Sequence, residues 1–533
     1  MAQVKKPDIW DYVVIGSGFG GSVAALRLAE KGYSVLVLEQ GRRWRDQDLP
    51  KTNWNLRRFL WAPWLRFFGP FKFAFFRHLW VIQGVGVGGG SLVYANTHLR
   101  PGDAFYNAPE WSGLADWKAE LAPFYDKAEK MLGVIDWKIM TPADEVLLEV
   151  ARDLGVEKTF AMTRVAVFAG EPGKTVADPY FGGAGPPRTG CTQCGQCMVG
   201  CRVGAKNSLV KNYLYLAEKR GVTIRPETRV LDIKPTPDGS YEIISEKSGG
   251  VLPLKKKIMA RKIIVSAGCV GTMNLLLKCK HHTGSLSNLS ERLGVVVRTN
   301  SEAITGIIER ATPDTRDHSR GIAITSYFKP DSVTTVEPVR YGPGSDFIRL
   351  LYAPAGDGFT VFSRIIGSIR TILARPTDLL LFFRLRDLTR HSFMLLVMQN
   401  LDNHLSFTLG RSVFTGFKLG AVSVSPGQKK VPAYIPIAAD VTRRVGEKLN
   451  AMPINGVPEI LLNTATTAHL IGGAPIGGTI KDGVINPRHE VHGYPGLYVM
   501  DASAIPANLG VNPSLTITAM TERAMSFIPD KSR

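Results

Sequence analysis

Residues 11–39 read DYVVIGSGFGGSVAALRLAEKGYSVLVLE, a complete succession of strand, glycine turn, helix and strand that restricts the fold more tightly than any other stretch of the chain. Tyr12, Val13, Val14 and Ile15 form the short continuous apolar run expected of a strand buried on both faces of a parallel sheet. Gly16, Gly18 and Gly21 follow with G-x-G-x-x-G spacing. Gly16 permits a sharp turn, Gly18 lets the backbone approach a pyrophosphate, and Gly21 lets the next helix lie close to the strand; the N–H groups at the helix start then face phosphate charge. Val23, Leu26, Leu28 and Ala29 fit that helix, and Gly32 ends it. The second strand, 34–38, runs into Glu39, at the spacing of an acid that accepts a hydrogen bond from a ribose hydroxyl. The unit is a dinucleotide cradle in an α/β fold. Alone it leaves NAD and FAD both open.

With 533 residues, 65 Lys+Arg against 46 Asp+Glu and a formal charge of +19, the chain has material for several domains and an excess that attracts acidic partners. No nucleic-acid module is visible, so an anionic lipid surface is the favoured partner over nucleic acid. The opening MAQVKKPDIW has no apolar core of a secretory signal, and no apolar run reaches the length of a membrane span. The expected location is cytoplasmic, peripheral on the inner face of the membrane.

Two segments carry that lipid expectation. Residues 54–80 are packed with Trp, Phe and Leu and interleaved with Arg57, Arg58, Arg66, Lys72 and Arg77, while Pro63, Gly69 and Pro70 forbid one long helix. The segment reads as a broken aromatic and cationic surface or lid, or as a buried excursion that fills core. Within 347–398, Ile365, Ile366, Ile369, Ile372 and Leu373 fall on one helical side, flanked by Arg364, Arg370 and Arg375, and a second run, 379–385, carries Arg384 and precedes Arg386 and Arg390. An interfacial helix hairpin has this pattern, and so does a core helix with an arginine rim.

Cys191, Cys194, Cys197 and Cys201 have the spacing C-x2-C-x2-C-x3-C of a ferredoxin-type run. Disulfides are disfavoured in a cytosolic chain, and structural zinc sites usually separate their Cys pairs by a longer spacer. The expected occupant is an iron–sulfur cluster of the 4Fe–4S type, with zinc and free thiols as alternatives. Cys269 and Cys279 read as small buried hydrophobes.

The glycine run Gly84, Gly86, Gly88, Gly89, Gly90, followed by Ser91-Leu92-Val93 and Arg100-Pro101, together with the opening cradle, resembles the glucose-methanol-choline oxidoreductase family, in its bacterial cholesterol-oxidase-like branch. The resemblance implies FAD as cofactor, with Gly88, Ser91 and Asn96 against its pyrophosphate and flavin ring, although Tyr94-Ala95 stands where many members have Asn-Gly. It implies that the backbone of Val230 meets the adenine, that Asp501 meets the ribityl or phosphate region, and that 510–513, including Asn512 and Pro513, pass the pyrimidine side of the ring. It also places His469, in an H-x-x-G-G motif, and Asn512 beside the flavin's reactive edge. There a neutral imidazole takes the hydroxyl proton and an amide holds the substrate oxygen while hydride leaves for flavin N5. The implied architecture is a discontinuous Rossmann-like FAD-binding domain, 1–297 and 462–533, with an α+β substrate-binding domain on an antiparallel sheet at 298–461. The implied activity is oxidation of a lipophilic alcohol, sterol-like or long-chain. A cluster would pass the electrons to a protein or quinone acceptor. The alternatives are an oxygen-using oxidase without a cluster, lyase chemistry on the same scaffold, and a non-catalytic flavoprotein. An acid that would shift a double bond in a sterol is not placed by the sequence.

Overall fold

A computed structural model describes residues 9–250, 254–310, 316–374, 376–377, 387–425, 427 and 430–532. The cradle forms as its residues dictate. Strand Trp10–Ile15 lies between Val35–Leu38 and Lys255–Val265, parallel to both, and Thr223–Arg225 extends the sheet beyond Val35–Leu38. On the far side the long strand Lys255–Val265 divides its edge: its first half pairs antiparallel with Tyr241–Lys247, and its last residues pair parallel with Leu497–Val499. A strand from near the carboxyl end thus completes a sheet begun at residue 10. Thr228–Pro235 closes the other edge, with a register shift between Val230 and Asp232.

Close approach explains the glycines. A Cβ on Gly21 would stand 2.1 Å from the carbonyl oxygen of Gly16, so the helix Phe19–Glu30 packs onto its own strand only with hydrogen there. A Cβ on Gly20 would stand 1.7 Å from the oxygen of Met500, where the helix meets the carboxyl-terminal segment. The same helix is tied to the final helix, Ser514–Ser526, by Arg27, whose Nε donates to Glu522 Oε2 at 2.8 Å. Tyr213 and Lys127 also bind that buried carboxylate, at 2.7 and 2.9 Å.

The second sheet is antiparallel and five-stranded, in the order Thr334–Val339, Ser392–Gln399, Ala303–Ile308, Met452–Gly456, Tyr352–Pro354. Helix Pro436–Lys448 covers one face, burying Ala438, Val441 and Val445 in the same apolar cluster as Ile307, Phe393 and Leu395. A Rossmann-like sheet joined to an antiparallel α+β unit is the expected fold class.

Segment 54–80 divides between its two readings. A short helix, Leu56–Phe59, and a hairpin, Phe71–Phe75 with Leu79–Gly84, bury Phe59, Trp61, Phe71 and Phe76, while Trp54, Leu65 and Phe75 are exposed and Trp64 is 81% exposed. Helix Val361–Ala374 inverts the usual amphipathic arrangement. Arg364 and Ser368 face the protein, Arg364 donating to the Gly358 carbonyl at 2.9 Å and Ser368 to that of Pro354 at 2.8 Å, whereas Phe362, Ile369 and Leu373 are exposed. Arg375 and the second run, with Arg384 and Arg386, lie outside the described residues. No described helix is long and apolar enough to cross a membrane.

The contact at Gly20 generates a stability prediction. Gly20→Ala forces the first helix away from Met500 and is expected to destabilise the protein by about 1–3 kcal/mol, as overpacking does. Thermal unfolding with and without added FAD checks it; an unchanged midpoint would show that the junction yields freely.

Candidate active site

A single cavity of about 640 Å³ runs from the glycine cradle to the antiparallel sheet. At the cradle end it is lined by Gly16, Gly18, Glu39 and Val230, in the middle by Asp501 and Pro513, and at the far end by His469 and Asn512. Residues from both ends of the chain therefore meet in one space.

The cradle residues fit a dinucleotide. A Cβ on Gly18 would meet nothing within 4 Å, so the backbone there borders open space of the kind a pyrophosphate fills. Glu39 is held by three donors, Ser17 N at 3.1 Å, Ser17 Oγ at 2.7 Å and Gly41 N at 2.8 Å. Burial still keeps its carboxyl above the usual range. Asp501 is likewise fixed: Oδ2 accepts from Gly268 N at 2.9 Å and Thr272 Oγ1 at 2.5 Å, and Oδ1 accepts from the backbone and hydroxyl of Ser503. This joins the carboxyl-terminal segment to the start of helix Gly268–His281.

Gly88, Ser91 and Asn96 stand behind the lining. Gly88, at φ +106°, donates its N–H to Ser17 Oγ at 3.1 Å, and Ser91 Oγ donates to the Gly88 carbonyl at 2.7 Å while accepting from Leu209 N at 3.0 Å. Ser91 braces the glycine loop with both of its hydrogen-bonding capacities. Asn96 is buried at φ +58°, between Ala95 and Thr97, which do line the cavity, and neither amide atom has a partner among the described residues. A buried amide without partners costs about 1–3 kcal/mol, which a bound group with polar edges would offset.

His469 follows strand Ala465–Thr467, which pairs parallel with Leu79–Gly84. Its Nδ1 lies 3.1 Å from Glu302 Oε2, within ion-pair distance but not aligned as a hydrogen bond. Glu302 also accepts from Thr467 Oγ1 at 2.8 Å and from Ala468 N at 3.3 Å, so the carboxylate organises the loop that carries the imidazole. Burial lowers the pKa of His469, but the neighbouring carboxylates Glu302 and Glu337 outweigh it and hold the ring above its ordinary value.

Across the cavity, Asn512 Nδ2 donates to Glu337 Oε2 at 3.1 Å, leaving Asn512 Oδ1 and Glu337 Oε1 buried without partners among the described residues. Burial pushes the Glu337 carboxyl up to about 7, against the Asn512 hydrogen bond. The loop bearing Asn512 is clamped by Asn300, whose Oδ1 accepts from Leu509 N and Gly510 N at 2.9 Å each and whose Nδ2 donates to the Val511 carbonyl at 2.9 Å. Glu302, Glu337 and Asn300 were not reached from the sequence. The available signal was weak: an acid inside the strand TTVEPV, every residue of which is buried.

Lys72, from the aromatic segment, lines the cavity rather than the surface, and burial lowers its pKa.

The cysteine run corrects the cluster expectation. Cys191, Cys194, Cys197 and Cys201 are free thiols around one small cavity, yet among the described residues no group of three or more His, Cys, Asp or Glu is placed to hold a metal ion. Burial pushes the Cys191 thiol up to about 11 and that of Cys197 higher still. Cys191, Cys197 and Cys201 pack with Trp137, Val165 and Ile322, and the neighbouring backbone is stapled to Gly321, which donates to the Gln193 carbonyl and accepts from Gly195 N, both at 2.9 Å. The run is an apolar fastening between loop and sheet. The electron exit through a cluster falls with it.

Residues 187–284 and 432–521 match the GMC oxidoreductase family pattern, and 14–44 match an NAD(P)-binding Rossmann-like domain. The chain is 44% identical over 98% of its length to a cholesterol oxidase of Acinetobacter baumannii, covering 95% of that protein. It is 45% identical over 99% of its length to a cholesterol oxidase of Mycobacterium tuberculosis, covering 92%. Among solved structures, pyridoxine 4-oxidase from Mesorbium loti shares the fold, with a TM-score of 0.60 at 15% identity over 97% of this chain and 99% of that one. Likeness to the two bacterial proteins at this level, over nearly the whole of each chain, places this protein in the GMC oxidoreductase family as an FAD-dependent alcohol oxidoreductase.

Proposed function

We propose that the protein oxidises the hydroxyl group of a sterol-like alcohol, with His469 and Asn512 at the reacting carbon and dioxygen as the final electron acceptor. The observation that carries this reading is the meeting of His469 and Asn512 in the cavity that also contains the cradle. The sterol comes from the relatives, and the apolar side chains of Phe59, Phe71, Ile348 and Met394 in the same cavity suit such a body. The relatives named as oxidases favour dioxygen, and the thiols offer no competing route.

Residues 1–297 and 462–533 hold FAD in this reading, and 298–461 shape the substrate's place. Gly16, Gly18 and Gly21 seat the pyrophosphate, Glu39 the ribose and Val230 the adenine. Gly88, Ser91 and Asn96 support the flavin side, as do Asp501, Asn512 and Pro513. Bound FAD supplies the hydride acceptor. His469 receives the hydroxyl proton at Nε2, because Nδ1 faces Glu302. Asn512 orients the substrate oxygen with the amide capacity that Glu337 leaves free. Glu337, hydrogen-bonded to the cavity residue Asn512 and with its carboxyl pushed up to about 7, takes a proton from the carbon between the new carbonyl and a β,γ double bond and returns it at the far end, which moves the double bond into conjugation. The outward apolar residues Phe359, Phe362 and Leu373 support peripheral docking on an anionic membrane, where such substrates reside.

Mixing with sterols under nitrogen is expected to bleach the flavin, and air to restore it with release of hydrogen peroxide. An absence of bleaching across sterols and long-chain alcohols would overturn the substrate reading, and bleaching that air does not reverse would overturn the oxidase. His469→Ala is expected to retain FAD while slowing flavin reduction about 10²–10⁴-fold, the range lost with a general base. The base acts only when deprotonated, so the rate rises with pH through its pKa. Glu302→Gln removes the charge that holds that pKa up, and the acidic limb of the pH–rate profile is expected to move to lower pH. Glu337→Gln is expected to keep alcohol oxidation but leave a β,γ-unsaturated ketone, which lacks the ultraviolet band of the conjugated product.

A further inference from the structure

A second cleft, of about 830 Å³, lies between the loop after Glu39 and the broken segment 54–80. Five arginines line it, Arg42, Arg43, Arg57, Arg58 and Arg66, against one carboxylate, Asp48. Arg42 pairs with Glu227 at 3.2 Å, Arg43 with Glu218 at 2.6 Å, and Asp48 is engaged by Arg45 at 2.6 Å. Arg57, Arg58 and Arg66 have no ion-pair partner among the described residues. The cleft therefore holds surplus positive charge in a confined space, which an anion would relieve.

Its other features suit a phosphate. The guanidinium of Arg42 is fixed over the Phe68 ring at 4.5 Å, leaving a planar fork of donors pre-oriented. Trp44, also in the lining, keeps its indole Nε1 buried with no hydrogen-bond partner among the described residues. Arg66 sits at φ +59°, directly after the turn Pro63–Leu65, whose Trp64 and Leu65 stand out in solvent. One turn thus carries a cation of the cleft and two apolar side chains outside it. Asn55 lines the cleft, and the preceding Trp54 contacts Phe347 of the active-site cavity with ring centroids 5.9 Å apart, so the cleft and the cavity are neighbours.

We propose that this cleft binds the phosphate of an anionic phospholipid headgroup, seating Trp64 and Leu65 in the membrane interface beside the active-site opening. The inference deepens the membrane-surface reading above and rests on it, but not on the identity of the substrate. Arginine forks recognise phosphate oxygens bidentately, and an aromatic rim around a cationic centre matches the headgroup level of a bilayer.

The test is co-sedimentation of the FAD-loaded protein, without substrate, on vesicles of phosphatidylcholine alone or with one-third phosphatidylglycerol. Arg57→Gln/Arg58→Gln/Arg66→Gln is expected to weaken binding to the anionic vesicles about a hundredfold, at roughly a factor of five per basic residue near the surface. FAD content, melting temperature and turnover of detergent-dissolved substrate are expected to stay unchanged. Lys255→Gln/Lys256→Gln/Lys257→Gln removes the same charge from an exposed strand elsewhere and is expected to bind as wild type. Equal weakening by the two triples would assign binding to net charge and overturn the cleft. Undiminished binding by the arginine triple would overturn the cleft and leave the membrane reading standing, and failure of wild type on both vesicles would overturn both. Glycerol phosphate that saturates the cleft in titration without displacing protein from vesicles would assign the site to a free phosphate and overturn the lipid.

Discussion

The active site depends on one side-chain amide. Asn300 stands where the chain enters the antiparallel sheet, and its three hydrogen bonds to 509–511 fix the loop that carries Asn512. Two residues further on, Glu302 reaches the loop of His469. A short stretch of backbone, with Asn300 at φ +61° and Ser301 at φ +43°, therefore sets the distance between His469 and Asn512, the proposed reacting pair. Left-handed backbone at non-glycine residues costs about 1–3 kcal/mol each and persists where surrounding contacts over-determine it. The bonds to the carboxyl-terminal loop are such contacts.

Around that frame the electrostatics are unequal by construction. Glu302 is surrounded by donors and the imidazole, whereas Glu337 has one hydrogen bond from an uncharged amide. Two carboxyls near one histidine thus have different environments, which is what the different tasks proposed for them require. The buried oxygens without partners face the same problem as the amide of Asn96: desolvation already incurred, with the compensating bond left to a bound molecule.

Much of this was readable from residues. The first sheet was legible because strand, glycine spacing, helix and acid are all local, and each constrains the next. The motifs around His469 and Asn512 were legible through family resemblance. Glu302 and Glu337 were not, since Glu302 stands just before its strand with no motif around it, and an acid inside an apolar strand, as Glu337 is, resembles any edge residue until the sheet partners are known. Helix Val361–Ala374 was legible only in part: periodicity identified its two faces but left open which one meets the protein, and the polar face does, through Arg364 and Ser368. The cysteine spacing misled because spacing reports which thiols can converge, not how they are arranged; here Cys191, Cys197 and Cys201 pack among apolar residues, and no metal-holding group forms among the described residues.

The pairing of Lys255–Val265 with Leu497–Val499 has a consequence for how the holoprotein is made. The cradle is synthesised about 460 residues before Asp501. At about 5–20 residues per second, roughly half a minute to a minute and a half separates them. Throughout that interval the nascent first half has a sheet lacking its last strand and a cofactor site lacking one wall. If Asp501 forms part of the FAD site as proposed, stable capture of FAD waits for residues 497–501, and a ribosome stalled before residue 497 carries a chain with an open sheet edge, a substrate for chaperones or proteases.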